Sequence, residues 1–304
     1  MATALALETC DDWQDYELLD SGNGRRLERF GPYRFIRPEQ QAMWQPAFSA
    51  KEWQQADGIF QATNEEMGGH WELRNKVEPE WKMKYRNLKF WAKLTNSRHL
   101  GVFPEQAPHW DWISRQVQAA MGSVQVLNLF GYTGLASLCA VQAGARVTHV
   151  DASKKSVAWG RENQSLSGLQ DRPIRWIIDD ALKFVQREKR RGQVYHGIIL
   201  DPPKFGRGPK GEVWEAFEKL PSLLADCRGV MAEQPKFLVI TAYAIRASAL
   251  SLLNLVQEML AGLGGSFEAG ELAIRERSAG RLLSTAIFVR WRSVSSKKDA
   301  GGAE

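Results

Sequence analysis

Apolar and polar positions change their spacing along this chain in a way that divides it in two. Up to about residue 95 the apolar runs are short, alternate with period two and are broken by turn residues, as half-buried strands are. Ser21-Gly22-Asn23-Gly24 predicts a hairpin between strands 16–19 and 26–30. Trp81-Lys82-Met83-Lys84-Tyr85 alternates strictly. Further on, apolar runs of strand length take turns with helical patterns. They predict strands at 124–129, 146–150, 174–178, 195–200 and 236–241, and helices at 133–143, 154–166, 180–190, 212–231 and 247–262. An earlier helix is predicted over 110–121, after a connector at 99–112 whose Pro104 and Pro108 exclude regular helix. This alternation builds βαβ units and a parallel sheet. It ends in two strands with no helix between them, 267–274 and 283–291, which predict a terminal hairpin adding an antiparallel strand. The expected organisation is a small β-rich N-terminal domain over 1–95, an α/β domain over 96–292, and a disordered tail over 293–304.

Composition narrows the class. The 304 residues are 25% charged, and no run approaches the roughly 18 apolar residues of a membrane span. Residues 1–10 lack the basic start of a signal peptide and run into Asp11 and Asp12. Cys10, Cys139 and Cys227 are odd in number and far apart, with no metal-ligand spacing, so a reducing cytoplasm and no metal are expected. Six of the twelve tryptophans precede residue 95, which suggests that large aromatic rings make that core. Net charge is +5, but it is uneven: residues 74–98 hold eight Lys or Arg against two Glu. Interleaved with Trp81, Tyr85, Phe90 and Trp91, this stretch can track a phosphate backbone and stack bases, or form an ordinary solvated strand face.

The candidate chemistry lies at four predicted strand ends, three of which carry the main motifs and meet in the crevice where open parallel sheets bind ligands. Asn128-Leu129-Phe130-Gly131-Tyr132-Thr133-Gly134 is a glycine turn into a helix, too bulky at Tyr132-Thr133 for a pyrophosphate, which needs bare amides. Asp151, followed by Ala152 and Ser153, stands seventeen residues after Gly134, where a carboxylate can take a ribose diol. Asp179-Asp180-Ala181 opens a helix; one Asp can cap it, and Asp180 is preferred for an adenine amino group. Asp201-Pro202-Pro203-Lys204-Phe205 is the most specific signal. Its prolines fix the backbone and remove two amide donors, so Asp201 and the carbonyls are free to hold an acceptor nitrogen, and Phe205 can stack on a flat ring. Together these segments predict a methyltransferase using S-adenosylmethionine, with a dehydrogenase disfavoured by the glycine loop.

Residues 94–290 resemble the bacterial class I S-adenosylmethionine-dependent methyltransferases related to the large-subunit ribosomal RNA methyltransferases. Their nucleotide loop, Asn-x-Phe-x-Tyr-Thr-Gly, is matched by Asn128 to Gly134, and their acceptor loop by Asp201 to Phe205. Phe103-Pro104-Glu105-Gln106 stands where the family has a Gln-containing stretch lining the cofactor pocket. The resemblance implies a Rossmann-like sheet of seven strands, one reversed, an N-terminal domain that helps bind RNA, and ribosomal RNA as the partner. Members making 5-methylcytosine carry a cysteine after the fourth or fifth strand; this chain has none there, so a nitrogen or oxygen acceptor is expected. The other readings are a methyltransferase with a small-molecule or protein acceptor, and a cofactor-binding module without activity.

Overall fold

The strand–helix rhythm becomes a single mixed sheet with helices on both faces. The computed structural model describes residues 4–62, 68–243 and 245–294. Across the sheet the strands run Ser266–Arg275, Leu282–Arg292, Phe237–Ala242, Gly197–Leu200, Gln125–Leu129, Arg146–Asp151, Ile174–Ile178. Leu282–Arg292 is antiparallel to both neighbours, and the other internal pairings are parallel. These are the seven strands with one reversed. An eighth, Ala6–Glu8, adds in parallel to the outer edge, where its backbone lies so close to Gly270 that a side chain there would strike it. The sheet is covered on both sides, as parallel sheets must be: Val126 of the central strand belongs to one apolar cluster, Leu127 and Leu129 to the other.

The N-terminal region is a five-stranded sheet plus a separate hairpin. Strands Tyr16–Gly22 and Arg25–Phe30 join through Asn23 and Gly24, both with left-handed φ (52° and 72°), the two-residue turn that twisted hairpins favour. The hairpin Glu80–Tyr85/Leu88–Lys93 buries Trp81, Met83 and Tyr85 and exposes Lys82 and Lys84, as alternation predicts. Its second strand lies along helix Lys154–Leu166. Trp91 N donates to Asn163 Oδ1 (2.9 Å), Trp159 Nε1 to the Trp91 carbonyl (3.0 Å), and Ser167 Oγ bonds both backbone groups of Lys89. Trp13, Tyr85, Phe90 and Trp110 meet edge to face, with Tyr16 tilted against Trp13, in the core between the two regions.

Two expectations need correction. The connector is helical from Pro104 on: a 3₁₀ turn Pro104–Gln106 leads directly into helix Ala107–Ala119. Both prolines sit in first turns, where a missing N–H costs nothing. The helix expected at 212–231 begins late, because Val213–Glu215 pairs with Phe205–Arg207 as a hairpin before helix Ala216–Arg228. Buried Trp214 holds that hairpin down by donating to the Pro203 carbonyl (2.7 Å), which outweighs local helical spacing. From residue 295 on, the tail expected at 293–304 lies outside the described residues.

Candidate active site

The chain direction across the sheet reverses between Gln125–Leu129 and Gly197–Leu200. Leu129 and Leu200 are register partners, so the residues after them, Phe130 and Asp201, emerge side by side. Phe130 and Tyr132 carry left-handed φ (58° and 51°), as does Gly134 (87°). Such backbone at two aromatic residues costs on the order of 1 kcal/mol or more each and persists only where surroundings impose it. Gly131 N donates to Val150 O (3.1 Å), Tyr132 N to Asp151 Oδ2 (2.8 Å), and Gly134 N to Gly131 O (3.0 Å). Thr133 Oγ1 donates to Gly101 O (2.7 Å) and Asn163 Nδ2 to Thr133 O (3.0 Å). With three amides engaged in the protein, the loop is no pyrophosphate cradle.

Packing explains the glycines. A Cβ on Gly131 would stand 2.3 Å from the His149 ring, and one on Gly134 2.8 Å from Trp176. Gly134→Ala adds that clash to a positive φ and is expected to lower stability by about 1–3 kcal/mol. A urea midpoint equal to wild type would show that the turn needs no glycine. Below the loop, Asn128 Nδ2 donates to Ser137 Oγ (2.8 Å), which meets His149 Nδ1 (3.0 Å). Burial holds the His149 imidazole neutral, its pKa driven down to about 3.

The cavity at these strand ends is lined by Phe103, Gln106, His109, Phe130, Tyr132 and Asp201, with Asn128, Gly131 and Thr133 also at its wall. Phe103 packs against Tyr132 and Tyr243 (ring centroids 5.5 and 5.3 Å). Buried Gln106 donates from Nε2 to Asp201 Oδ2 (3.0 Å) and Tyr243 Oη (2.8 Å). Asp201 Oδ1 is sealed from solvent without a hydrogen bond. Burial, and then the charge of nearby Glu105, push the Asp201 pKa up to about 8, against the opposing bond from Gln106. Glu105 and Asp151 are also raised, chiefly by burial. Three carboxyls that resist ionisation together make a site that a cationic ligand would relieve.

The sign of the linkage follows. Between the ordinary carboxylate range and about pH 8, the folded chain keeps the Asp201 proton and the unfolded chain does not, so stability falls as pH rises. Asp201→Asn is expected to flatten the fall in melting temperature between about pH 4 and 8, and an unchanged profile would assign that dependence elsewhere.

Other expected residues stand near the cavity but not at its wall. Asp151 accepts from Tyr132 N and, at Oδ1, from Ser153 N (2.8 Å); Ser153 caps the helix after Ala152. Asp180 caps the helix that opens at Ala181, its Oδ1 accepting from Lys183 N (2.9 Å), while Asp179 pairs with Arg187. Pro202 is buried, and the Lys204 carbonyl accepts from Ala216 N (3.0 Å). Phe205 opens the hairpin strand and is 42% exposed, away from the cavity wall.

Sequence reasoning passed over Tyr243 and His109. The first follows strand Phe237–Ala242, a position that could have marked it. The second is legible only in three dimensions: Arg290 Nε and Nη2 both point at His109 Nδ1 (2.9 and 2.7 Å). A guanidinium only donates, so Nδ1 accepts and the imidazole proton lies on Nε2.

Comparison with known proteins agrees with this geometry. The family model described as S-adenosylmethionine-dependent methyltransferase matches residues 37–242. A solved structure, the SAM-dependent methyltransferase from Agrobacterium tumefaciens, is 47% identical, with a TM-score of 0.90 over 94% of this chain and 93% of that one. SMU.776, solved complexed with SAH, shares the fold at 17% identity and a TM-score of 0.69, over 91% of this chain and 75% of that one. Ribosomal RNA large subunit methyltransferase I of Aeromonas salmonicida is 29% identical over 143 residues, 47% of this chain. The chain spans about a third of that relative's length, since the match covers 32% of it. No helix among the described residues is long and apolar enough to cross a membrane. The glycine turn at the sheet's reversal, the Asp-Pro-Pro loop beside it and the extent of these matches place the chain in the S-adenosylmethionine-dependent methyltransferase family, as an enzyme of that class using that cofactor.

Proposed function

We propose that this methyltransferase acts on RNA, ribosomal RNA first, at a nitrogen or oxygen atom, in the cytoplasm, with the β-rich region up to residue 95 serving the substrate. One observation carries the RNA reading: the outer face of the hairpin Glu80–Tyr85/Leu88–Lys93. Lys82, Lys84 and Lys89 are exposed there, Lys84 directly opposite Lys89, and Lys82 opposite Trp91 with Nζ 5.5 Å from the ring centroid. Like charges directly opposed across a hairpin destabilise it, and a polyanion laid over them would remove that cost. Arg86, counted with them in the sequence, already pairs with Asp12 and Asp111 (2.7 and 3.0 Å). The relatives named ribosomal RNA large subunit methyltransferases support the same reading. Replacing Lys82, Lys84 and Lys89 by Gln is expected to flatten the salt dependence of RNA affinity by about 0.7–0.9 in log–log slope for each phosphate no longer neutralised, with affinity for S-adenosylhomocysteine unchanged. An unaltered slope in filter binding would make the hairpin an ordinary solvated face.

The residues at the strand ends fit an adenosyl cofactor: Asp151 for the ribose hydroxyls, Asp180 Oδ2 for the adenine amino group, and the walls from Phe103, Tyr132 and Gly131 for the remainder. The bound cofactor supplies an electrophilic methyl on a sulfonium. This chain's own part is alignment and desolvation. With the cationic cofactor favouring its ionised form, Asp201 accepts a hydrogen bond from the acceptor at Oδ1, unpaired and buried, and aims the acceptor's lone pair, while Gln106 fixes the carboxyl from its other oxygen. The Pro203 carbonyl accepts from Trp214 Nε1, which pins the loop after Asp201 in place. Methylation of a pyrimidine carbon needs a thiolate adduct. Cys139 and Cys227 are buried in helices with burial pushing both thiols up, and neither lies on these loops.

A further inference from the structure

Beside Phe103, basic side chains from three segments lie within electrostatic reach of one another. Arg26 and Arg37 come from paired strands of the N-terminal sheet, and Arg98 and His99 from the segment leading into the cavity wall. Arg37 is satisfied: it bonds Glu28 through Nε and Nη2 (2.6 and 2.7 Å) and the Arg98 carbonyl through Nη1 (3.1 Å). Arg26 is not. It is 5% exposed, and its Nε and Nη1 are sealed from solvent with no hydrogen bond, although Glu28 and Glu39 lie at 3.2 and 3.9 Å. Arg98 is half-buried with no carboxylate in ion-pair range among the described residues. Its Nε donates to His99 Nε2 (3.4 Å), which leaves the His99 proton on Nδ1, also sealed and unbonded.

Three guanidiniums thus share two close carboxylates, Glu28 and Glu39. A third, Glu105, presents an unbonded buried Oε2, and burial favours its neutral form. Buried donors without partners are costly, and buried cations in excess more so. A single oxyanion meeting Arg26, Arg98 and His99 would satisfy all of them.

We propose that Arg26, Arg98 and His99 form an oxyanion-binding site for the acceptor, taking a phosphate next to the nucleotide that is methylated. This rests on the RNA reading above for the identity of the oxyanion, though the site itself does not. Its position favours the acceptor over the cofactor's own carboxylate. The His99 ring packs on Phe103 (4.4 Å between centroids), which also meets Tyr243 and, at the cavity wall, Tyr132 of the glycine turn. Phe103 therefore links His99 to the glycine turn. Arg26 and Arg37 also belong to the N-terminal sheet, outside the sheet whose strand ends hold the cofactor.

Sulfate is the probe. Melting temperature is followed against sodium sulfate, with sodium chloride at matched ionic strength as control, for the wild type, Arg98→Gln and Arg98→Lys, each with and without saturating S-adenosylhomocysteine. Sulfate is expected to stabilise the wild type beyond chloride, equally with the cofactor product bound. Arg98→Gln should weaken apparent sulfate affinity about ten- to a hundredfold, the usual effect of losing a charged hydrogen bond, and Arg98→Lys should restore part of it. No sulfate-specific shift in the wild type overturns the site. Sulfate and S-adenosylhomocysteine excluding each other overturns the acceptor assignment in favour of the cofactor's carboxylate. Loss of the RNA reading would show in the hairpin lysine variants and leave the sulfate result standing.

Discussion

Asp201→Ala is expected to lower the methyl-transfer rate at least about a hundredfold, roughly 2.7 kcal/mol of barrier, while S-adenosylhomocysteine still binds nearly as well as to the wild type. The carboxyl stands at the carboxyl end of strand Gly197–Leu200, with Oδ2 held by Gln106 and Oδ1 unpaired. An unpaired buried oxygen does nothing for folding, so its removal should not unfold the chain. With burial and Glu105 raising its pKa to about 8, losing the carboxyl should, if anything, raise the melting temperature near neutral pH. This sets the positioning role apart from a bracing one. Bracing predicts that melting temperature, cofactor affinity and rate fall together, whereas positioning predicts that only the rate falls. Gln106→Ala should reproduce part of the rate loss, because it frees the same carboxyl to rotate. Full turnover by Asp201→Ala would remove the residue from the acceptor site.

Asp151→Ala should weaken cofactor binding about ten- to a hundredfold, the 1.5–3 kcal/mol of a charged hydrogen bond to the ribose diol. Here stability and binding are coupled. Asp151 also holds the amide of Tyr132, a residue with left-handed φ, and that of Ser153 at the helix start. Alanine leaves both donors without this partner, so a modest drop in melting temperature is expected as well. Asp151→Asn separates the two effects, since it keeps one acceptor oxygen for an amide while losing the charge. Calorimetric titration with S-adenosylhomocysteine giving an unchanged dissociation constant for both variants would sink the ribose assignment.

The sheet was legible because its central strands are short, largely apolar segments, with Ile198 to Leu200 and Phe237 to Ile240 uninterrupted, and successive parallel strands are separated by helices. Its outer edge was not. Ala6–Glu8 pairs with Gly270–Leu272 near the other end of the chain, and three residues of mixed polarity carry no periodic signal. The Asn128–Gly134 segment was recognisable as a glycine turn into a helix, yet the reason for its glycines lies in His149 and Trp176 on the next two strands of the sheet. Asn128 itself, expected at the cofactor, gives its amide to Ser137. Alternation placed Lys82 and Lys84 on an outer face, but could not show that Arg86, one residue past the strand, turns to Asp12 and Asp111. Arg26, Arg37, Arg98 and Glu105 were unreadable as a group. Their chemistry exists only because one sheet and the connector after it bring them within reach of one another.

The most direct test is transfer of a labelled methyl group from S-adenosylmethionine to ribosomal RNA taken from cells that lack this chain, followed by mass spectrometry of the nucleosides. The wild-type protein should produce one methylated nucleoside bearing its label on nitrogen or oxygen, and Asp201→Ala should not. Label on a pyrimidine carbon, or wild-type protein that methylates no RNA while binding S-adenosylhomocysteine normally, would contradict the account.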